Sequence, residues 1–377
     1  MNRPFLAFQI QITSRCNLRC PHCTKNIFAD QWIDGDMDMA TYKAISRAFP
    51  YLQQVYIDAW GEPLLHPEFW EMAAMAREAG CAVGMTTNGT LINGEVARRL
   101  AKEVDVVGIS VDGATAATYE SIRHGAKFNE VVEGVRALVA AKKELRDDGY
   151  PLVSLLFLKT RRNIHELPDM VDLAGELGAD EVIASNLTYV AKPEYEKLRV
   201  YSLQKASPEY LAIIDRARKR AKAWDLGLRI YPLEPKRVAF CEARPLDALH
   251  ITWDGFVTPC VYLTLPVKSD TMAKVHEGES YRIPMTRFGN VKESELLDIW
   301  NSEAYKKFRE PFAGRKAICG NARFGMSDDG GFEEIDAETS APYPGIRCRM
   351  SVMAVTRRWG FDSAGESTLN GLFRHFS

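Results

Sequence analysis

Six short apolar runs, near residues 6–12, 55–57, 81–86, 106–111, 152–158 and 181–185, alternate with segments of helical periodicity. Segment 128–146 shows the helical pattern clearly, with Phe128, Val131, Val132, Val135, Leu138 and Val139 on one face. The short runs are continuous rather than alternating in polarity, as strands are when both their faces are buried. Alternation of this kind implies an α/β fold with a parallel sheet and right-handed crossovers. Polar, Gly-containing segments follow the runs, at the end of the sheet that carries the active site in α/β barrels. With 377 residues, 46% of them hydrophobic, there is material for two or three domains.

The first of these segments is Cys16-Asn17-Leu18-Arg19-Cys20-Pro21-His22-Cys23, three thiols spaced C-x3-C-x2-C. Three soft ligands this close suit iron–sulfur or zinc coordination. A closed zinc site takes four ligands, whereas three cysteines on a four-iron cubane leave one iron open to a substrate or cofactor. A zinc knuckle that borrows a distant ligand is the alternative. The other cysteines are Cys81, Cys241, Cys260, Cys319 and Cys348. The N-terminus has no signal-peptide layout and no apolar run approaches a membrane span, so a cytoplasmic protein with metal-ligating cysteines is expected rather than disulfides. Cys81, alone at the start of an apolar run, reads as core packing. A net charge of −2 asks for neither nucleic acid nor an anionic membrane as partner.

Later turns carry further candidates. Gly61 allows close backbone approach to a ligand, Pro63 fixes the turn after Glu62, and the Glu62 carboxylate with nearby backbone groups suits an ammonium. Asn88, Ser110 and Asp112 suit ribose hydroxyls, and Arg123 a carboxylate. Taken singly, each of these is also ordinary turn chemistry.

Together, over residues 5–190, the cysteine loop, Gly61-Glu62-Pro63 and the polar strand ends resemble the radical S-adenosylmethionine (radical SAM) superfamily. The resemblance implies a partial (β/α)6 TIM-like barrel. It implies a [4Fe–4S] cluster on Cys16, Cys20 and Cys23 whose open iron chelates SAM. In that family the reduced cluster cleaves SAM to a 5′-deoxyadenosyl radical that removes a substrate hydrogen. By the same resemblance the Gly-Glu-Pro segment holds the SAM amino group, Ser110 and Asp112 contact the ribose, Arg123 meets the carboxylate, and Asn88 is a weaker match. His22 stands where the family has an aromatic-type residue, and Trp60 where it has the first glycine of Gly-Gly-Glu-Pro. An external electron donor such as flavodoxin or ferredoxin is implied as partner.

Ser207-Pro208-Glu209 opens a helix whose apolar side includes Leu211, Ile214, Ala217 and Trp224, and Pro232 and Pro235 mark a boundary. Beyond it, Asp254-Gly255 joins two β-rich runs into a hairpin that ends at Cys260. Cys241, Gly255, Cys260, Gly289-Asn290-Val291 and the helix with Leu296, Leu297, Ile299 and Trp300 resemble the SPASM and twitch extensions of radical SAM enzymes. A full SPASM domain has seven cysteines. Here the resemblance, with Cys241, Cys260, Cys319 and Cys348, implies one auxiliary Fe–S cluster, taken as [4Fe–4S], in a smaller C-terminal α+β iron–sulfur domain. Four cysteines would satisfy zinc equally well. The expected division is a barrel at 1–206, a bridging helix and linker at 207–236, the cluster domain at 237–350 and a tail at 351–377.

Two substrate classes fit: a peptide or protein, modified by crosslinking or oxidation, and a small molecule such as a sugar, cyclitol or nucleoside. The first strand starts near residue 5, which argues mildly against a built-in peptide-recognition module. Peptide or protein modification is the expectation, on family frequency. A non-enzymatic, zinc-bearing binding protein is the remaining alternative.

Overall fold

The computed structural model describes residues 3–319 except Asp147, 203–204, 235–240, Glu242 and Glu277, together with 325–326 and 332–333. The side chain of Cys319 and the whole of Cys348 lie outside the described residues.

Strands β1 (Phe5–Ile10), β2 (Leu52–Ile57), β3 (Ala82–Thr87), β4 (Val106–Ser110), β5 (Leu152–Lys159) and β6 (Glu181–Asn186) pair side by side in chain order, all parallel. They are the six apolar runs of the sequence. Helices Met39–Ser46, Phe69–Glu78, Gly94–Glu103, Phe128–Leu145 and Leu167–Leu177 cross between them. One face of each strand packs under these helices: Phe8, Ile10, Val55, Val83, Met85, Val107, Ile109, Val153 and Leu155 are all fully buried. This is the layering expected of a parallel sheet with crossover helices.

The sheet continues on both sides. β7 (Gly227–Ile230) adds parallel to β6. β8 (Ala248–Ile251), the first arm of the expected hairpin, adds parallel to β1, with Gln9 opposite His250. β9 (Phe256–Thr258) turns back antiparallel to β8. Gly255 makes that turn at φ +93°, a left-handed conformation that suits glycine. β10 (Thr271–His276) and β11 (Glu279–Pro284) form a separate antiparallel ribbon, and β12 (Gly289–Asn290) pairs with β9. The hairpin thus extends the barrel sheet beside β1, because its apolar residues Leu249 and Ile251 continue the buried face of Phe8 and Ile10.

The sheet curls. Tyr56 of β2, Gly108 of β4, Ser154 of β5, Ile183 of β6 and Tyr231 beyond β7 line one small cavity of about 40 Å³. Strands that are far apart in the sheet meet across that lumen, as in a partial barrel.

Stretch 187–206 contains a short helix, Pro193–Glu196, and buries Val190 and Val200. One local expectation changes. Helix Pro208–Ala223 buries Ile213, Ile214, Ala217 and Ala221, while Leu211 and Trp224 are 43% and 45% exposed. The Trp224 ring packs against Gly175, where a Cβ would come within 2.3 Å of it, and its Nε1 donates to Asp172. Among the described residues, no helix is long and apolar enough to cross a membrane.

Candidate active site

The cysteine loop leaves β1 at the C-terminal end of the sheet and is pinned on several sides. Ser14 N–H donates to the Gly35 carbonyl, Arg19 N–H to the His124 carbonyl, and Glu62 N–H to the Arg15 carbonyl. Trp32 Nε1 donates to the Ser14 carbonyl. Cys20 is buried, Cys16 and Cys23 are half-buried, and none of the three is in a disulfide. Burial pushes the Cys16 thiol up to about 11 against a hydrogen bond from Leu18 N–H, and Glu62, Cys23 and Cys20 add to the rise. Burial also raises Cys20, while the Arg123 guanidinium beside it favours the thiolate. Leu18 N–H and Asn88 Nδ2 lie 3.5 and 3.8 Å from Cys16 Sγ. Donors aimed at a sulfur tune a bound cluster's potential.

This donor set fits an iron–sulfur cluster. Three reduced thiols come from one rigid loop, and an adjacent guanidinium offsets the negative charge they acquire as ligands. Among the described residues, no three His, Cys, Asp or Glu side chains converge to hold a single metal ion. A cubane binds its cysteines on different irons and does not need such convergence.

Several ligand contacts expected from the sequence are occupied within the fold. Glu62 is 1% exposed. Its Oε1 accepts from Thr87 Oγ1 (2.8 Å) and Leu64 N–H (3.2 Å), and its Oε2 from Asn88 N–H (2.7 Å). Burial pushes its pKa up to about 7, against these donors. The carboxylate therefore ties the Gly61-Glu62-Pro63 turn to the Thr87-Asn88 turn. Gly61 does make a close approach, but to the chain itself: a Cβ there would lie 2.2 Å from the Thr13 carbonyl oxygen. Pro63 opens a short 3-10 turn, Pro63–Leu65, as its sequence position suggests.

Asn88 is likewise internal. Its Nδ2 donates to Asn17 Oδ1 (2.9 Å), and its Oδ1 accepts from Thr90 N–H and Oγ1. Asp112 is 1% exposed and accepts from Arg123 Nε at 2.7 Å and Leu158 N–H at 2.8 Å. Asp112 and Arg123, expected on ribose and carboxylate, thus pair with each other. Burial opposes the Arg123 charge, yet Asp112 and Cys20 hold its pKa well above the usual arginine value. Ser110 is half-buried at the end of β4, on the lumen face of Gly108. His22 is half-buried on the cysteine loop; burial pulls its pKa down to about 4, so the ring is neutral at pH 7.

The second cysteine set is seen in part. Cys260 follows β9, is 7% exposed, and accepts from Tyr262 N–H at its sulfur. Cys241 is half-buried and forms no disulfide. Trp60 joins the two regions: its Nε1 donates to the Val261 carbonyl at 3.2 Å, next to Cys260. Its ring meets Tyr189 and Tyr262 edge-on, at 6.2 and 6.0 Å between centroids. The large ring thus packs within the protein as a strut between the two segments.

Reading the chain by motif passed over the lumen. Gln9, Gln11, Asp58 and His250 are all buried. The available signal was polar residues at every second position of otherwise apolar strands.

The radical SAM superfamily profile matches residues 10–174, and that of an iron–sulfur cluster-binding domain, SPASM, matches residues 241–321. The tungsten-containing aldehyde ferredoxin oxidoreductase cofactor-modifying protein of Pyrococcus furiosus is 33% identical over 306 residues, 80% of this chain and 82% of that protein. The PqqA peptide cyclase of Methylorubrum extorquens is 28% identical over 308 residues, 79% of this chain and 73% of that protein. The solved structure of Streptococcus suis SuiB bound to precursor peptide SuiA shares the fold, with a TM-score of 0.56 and 16% identity over 81% of this chain and 66% of that one. A [4Fe–4S] cluster and SAM are the cofactors of the first region, and auxiliary iron–sulfur chemistry belongs to the second. With its cysteine loop, its Gly-Glu-Pro turn and a relative aligned over most of its length, this chain belongs to the radical SAM superfamily of enzymes and carries a C-terminal SPASM domain.

Proposed function

We propose that this enzyme modifies a peptide or protein substrate, by oxidation or crosslinking that begins with removal of a hydrogen atom. The observation that carries the reading is the likeness to a peptide cyclase over 79% of the chain. When bound, the cluster and SAM supply the one-electron cleavage that makes hydrogen abstraction possible. The protein's part is to hold, orient and exclude water. Cys16, Cys20 and Cys23 would ligate the SAM-cleaving cluster. Cys241, Cys260, Cys319 and Cys348 would ligate one auxiliary cluster, which either takes an electron from the substrate or ligates it. Asp112 engages Arg123 through Nε, so the Nη groups are the ones that would meet the SAM carboxylate. Ser110 would meet the ribose, His22 the adenosyl moiety, and the main chain of the Gly61-Glu62 turn the amino group. Glu62, Asn88 and Asp112 brace these parts. Flavodoxin or ferredoxin would deliver the electron.

The test is mass spectrometry of short peptides encoded beside the gene, each incubated with reconstituted enzyme, SAM and reductant. Loss of hydrogen from one peptide, matched to 5′-deoxyadenosine formed, is the expected result. Formation of 5′-deoxyadenosine with every such peptide unchanged would overturn it. A second reading, modification of a small cofactor, is favoured by the 33% identity to a cofactor-modifying protein over 80% of the chain. Iron counting tests the cluster assignment: about eight irons per chain should fall to about four in a Cys16/Cys20/Cys23→Ala triple variant.

A further inference from the structure

One wall of the barrel lumen is polar and incompletely bonded. Gln9 of β1 stands in register between Tyr56 of β2 and His250 of β8. Tyr56 lines the lumen cavity, so Gln9 and His250 share the lumen face. Two residues onward, toward the end that carries the cysteine loop, Gln11 and Asp58 continue the same face. Gln9 Nε2 donates to Asp58 Oδ1 at 2.5 Å, and Gln11 Nε2 to the Trp60 carbonyl at 3.1 Å.

What remains is unusual. Among the described residues, both ring nitrogens of His250, Oε1 of Gln11 and Nε2 of Gln54 have no protein hydrogen-bond partner within bonding geometry. His250 and Gln11 are each 1% exposed and Gln54 is 6% exposed. Buried polar groups in folded proteins are nearly always paired, and orphans mark a place for a ligand or an ordered water. Burial holds His250 neutral, with a pKa near 3, so it offers one donor and one acceptor. The Gln9 main chain lies near the ring and works against the fall in its pKa. Gln11 Oε1 and the Asp58 carboxyl add acceptors. The wall therefore complements a group that brings two or more N–H or O–H donors and an acceptor of its own. Gln11, Asp58 and His250 are all buried, and a low-polarity enclosure of that kind penalises a charged ligand group more than a neutral one.

We propose that Gln11, Asp58 and His250 form a binding subsite in the barrel lumen for an uncharged, donor-bearing group, either a carboxamide or a pair of hydroxyls. This does not rest on the peptide reading, since an Asn or Gln side chain and a sugar can both present such a group.

The test uses saturation-transfer NMR on the reconstituted holoenzyme with acetamide, ethylene glycol and acetate as probes. Wild type should transfer saturation to acetamide or to ethylene glycol but not to acetate, and the stronger of the two identifies amide or hydroxyl recognition. The signal should fall by more than half in both His250→Phe and Gln11→Leu, each checked for folding by circular dichroism. If His250→Phe fails to fold, Gln11→Leu alone carries the comparison. Equal transfer in wild type and folded variants, or equal transfer to acetate, overturns the proposal. No transfer to either neutral probe, with ordered water alone beside His250 in a crystal soaked with both, overturns it as well. None of these readouts involves peptide turnover, so the two ideas fail separately.

Discussion

Asp112→Asn removes the carboxylate that holds Arg123 beside the cysteine loop. Asp112 is 1% exposed in its side chain and Arg123 17%, and Nε–Oδ2 is 2.7 Å. At that distance and an effective dielectric of about 20, the attraction is about 6 kcal/mol, part of which offsets the desolvation of both ions. Asparagine keeps an oxygen for Leu158 N–H but turns an amide N–H toward Arg123 Nε–H, leaving a buried cation without its acceptor. Removing one member of a buried pair costs about 3–5 kcal/mol. Urea unfolding followed by far-UV circular dichroism should show the midpoint lowered by roughly 1 M or more, for a slope of about 3 kcal/mol per molar. Arg123→Met should also destabilise, by leaving Asp112 unpaired. The double variant Asp112→Asn/Arg123→Met should lose at least about 2 kcal/mol less than the two single losses combined. A loss below about 1 kcal/mol for Asp112→Asn, or strict additivity, would refute the reading of this pair as a buried brace.

Three further outcomes follow from the same geometry. Gly61→Ala places a Cβ 2.2 Å from the Thr13 carbonyl oxygen, and main chain cannot swing aside as a side chain can. A loss of about 1–3 kcal/mol and a drop in iron per chain are expected, and unchanged thermal midpoint and iron content would contradict it. Asp58 has its folded pKa raised by burial from 3.8 to about 6, so the folded state holds a proton that the unfolded state releases. Its stabilising contribution is full below about pH 4 and is lost as pH rises through about 6, a change of about 3 kcal/mol. Thermal midpoints of Asp58→Asn should therefore fall less than wild type across that window, and parallel curves would count against it. Trp60→Phe keeps a ring against Tyr189 and Tyr262 but loses the bond to Val261, so about 1 kcal/mol is expected by urea unfolding, against about 3–5 for Trp60→Ala.

The barrel strands and the cysteine loop were legible because their signals are local. A short, mostly apolar run between helical stripes has few alternatives to a buried parallel strand. C-x3-C-x2-C is a ligand set held within one turn of chain, so its chemistry is carried by covalent spacing. The fold class was legible for the same reason. The joining of β8 to β1 was not, because pairing between residues 7–10 and 248–251 depends on which edge lies free after six strands have assembled. The β10–β11 ribbon also went unmarked: β11 is exposed along nearly its whole length, so it carries no strong apolar pattern.

The roles of the polar site residues divide along the same line. By itself the sequence determined which residues stand at or after the strand ends, Glu62, Asn88, Ser110 and Asp112, and that Arg123 follows at the end of the next helix, Ala116–Ile122. Only the tertiary structure decided what each of them bonds. Glu62 reaches Thr87 and Asn88, and Asp112 reaches Arg123 and Leu158, across separations that no local pattern encodes. Residue type sets how many hydrogen bonds a group must make, whereas long-range packing sets which partners are near enough to make them. The lumen shows the converse. Gln11 and His250 are polar residues in otherwise apolar runs, and only enclosure by the curled sheet buries them and leaves Gln11 Oε1 and the His250 ring without a bonded protein partner among the described residues.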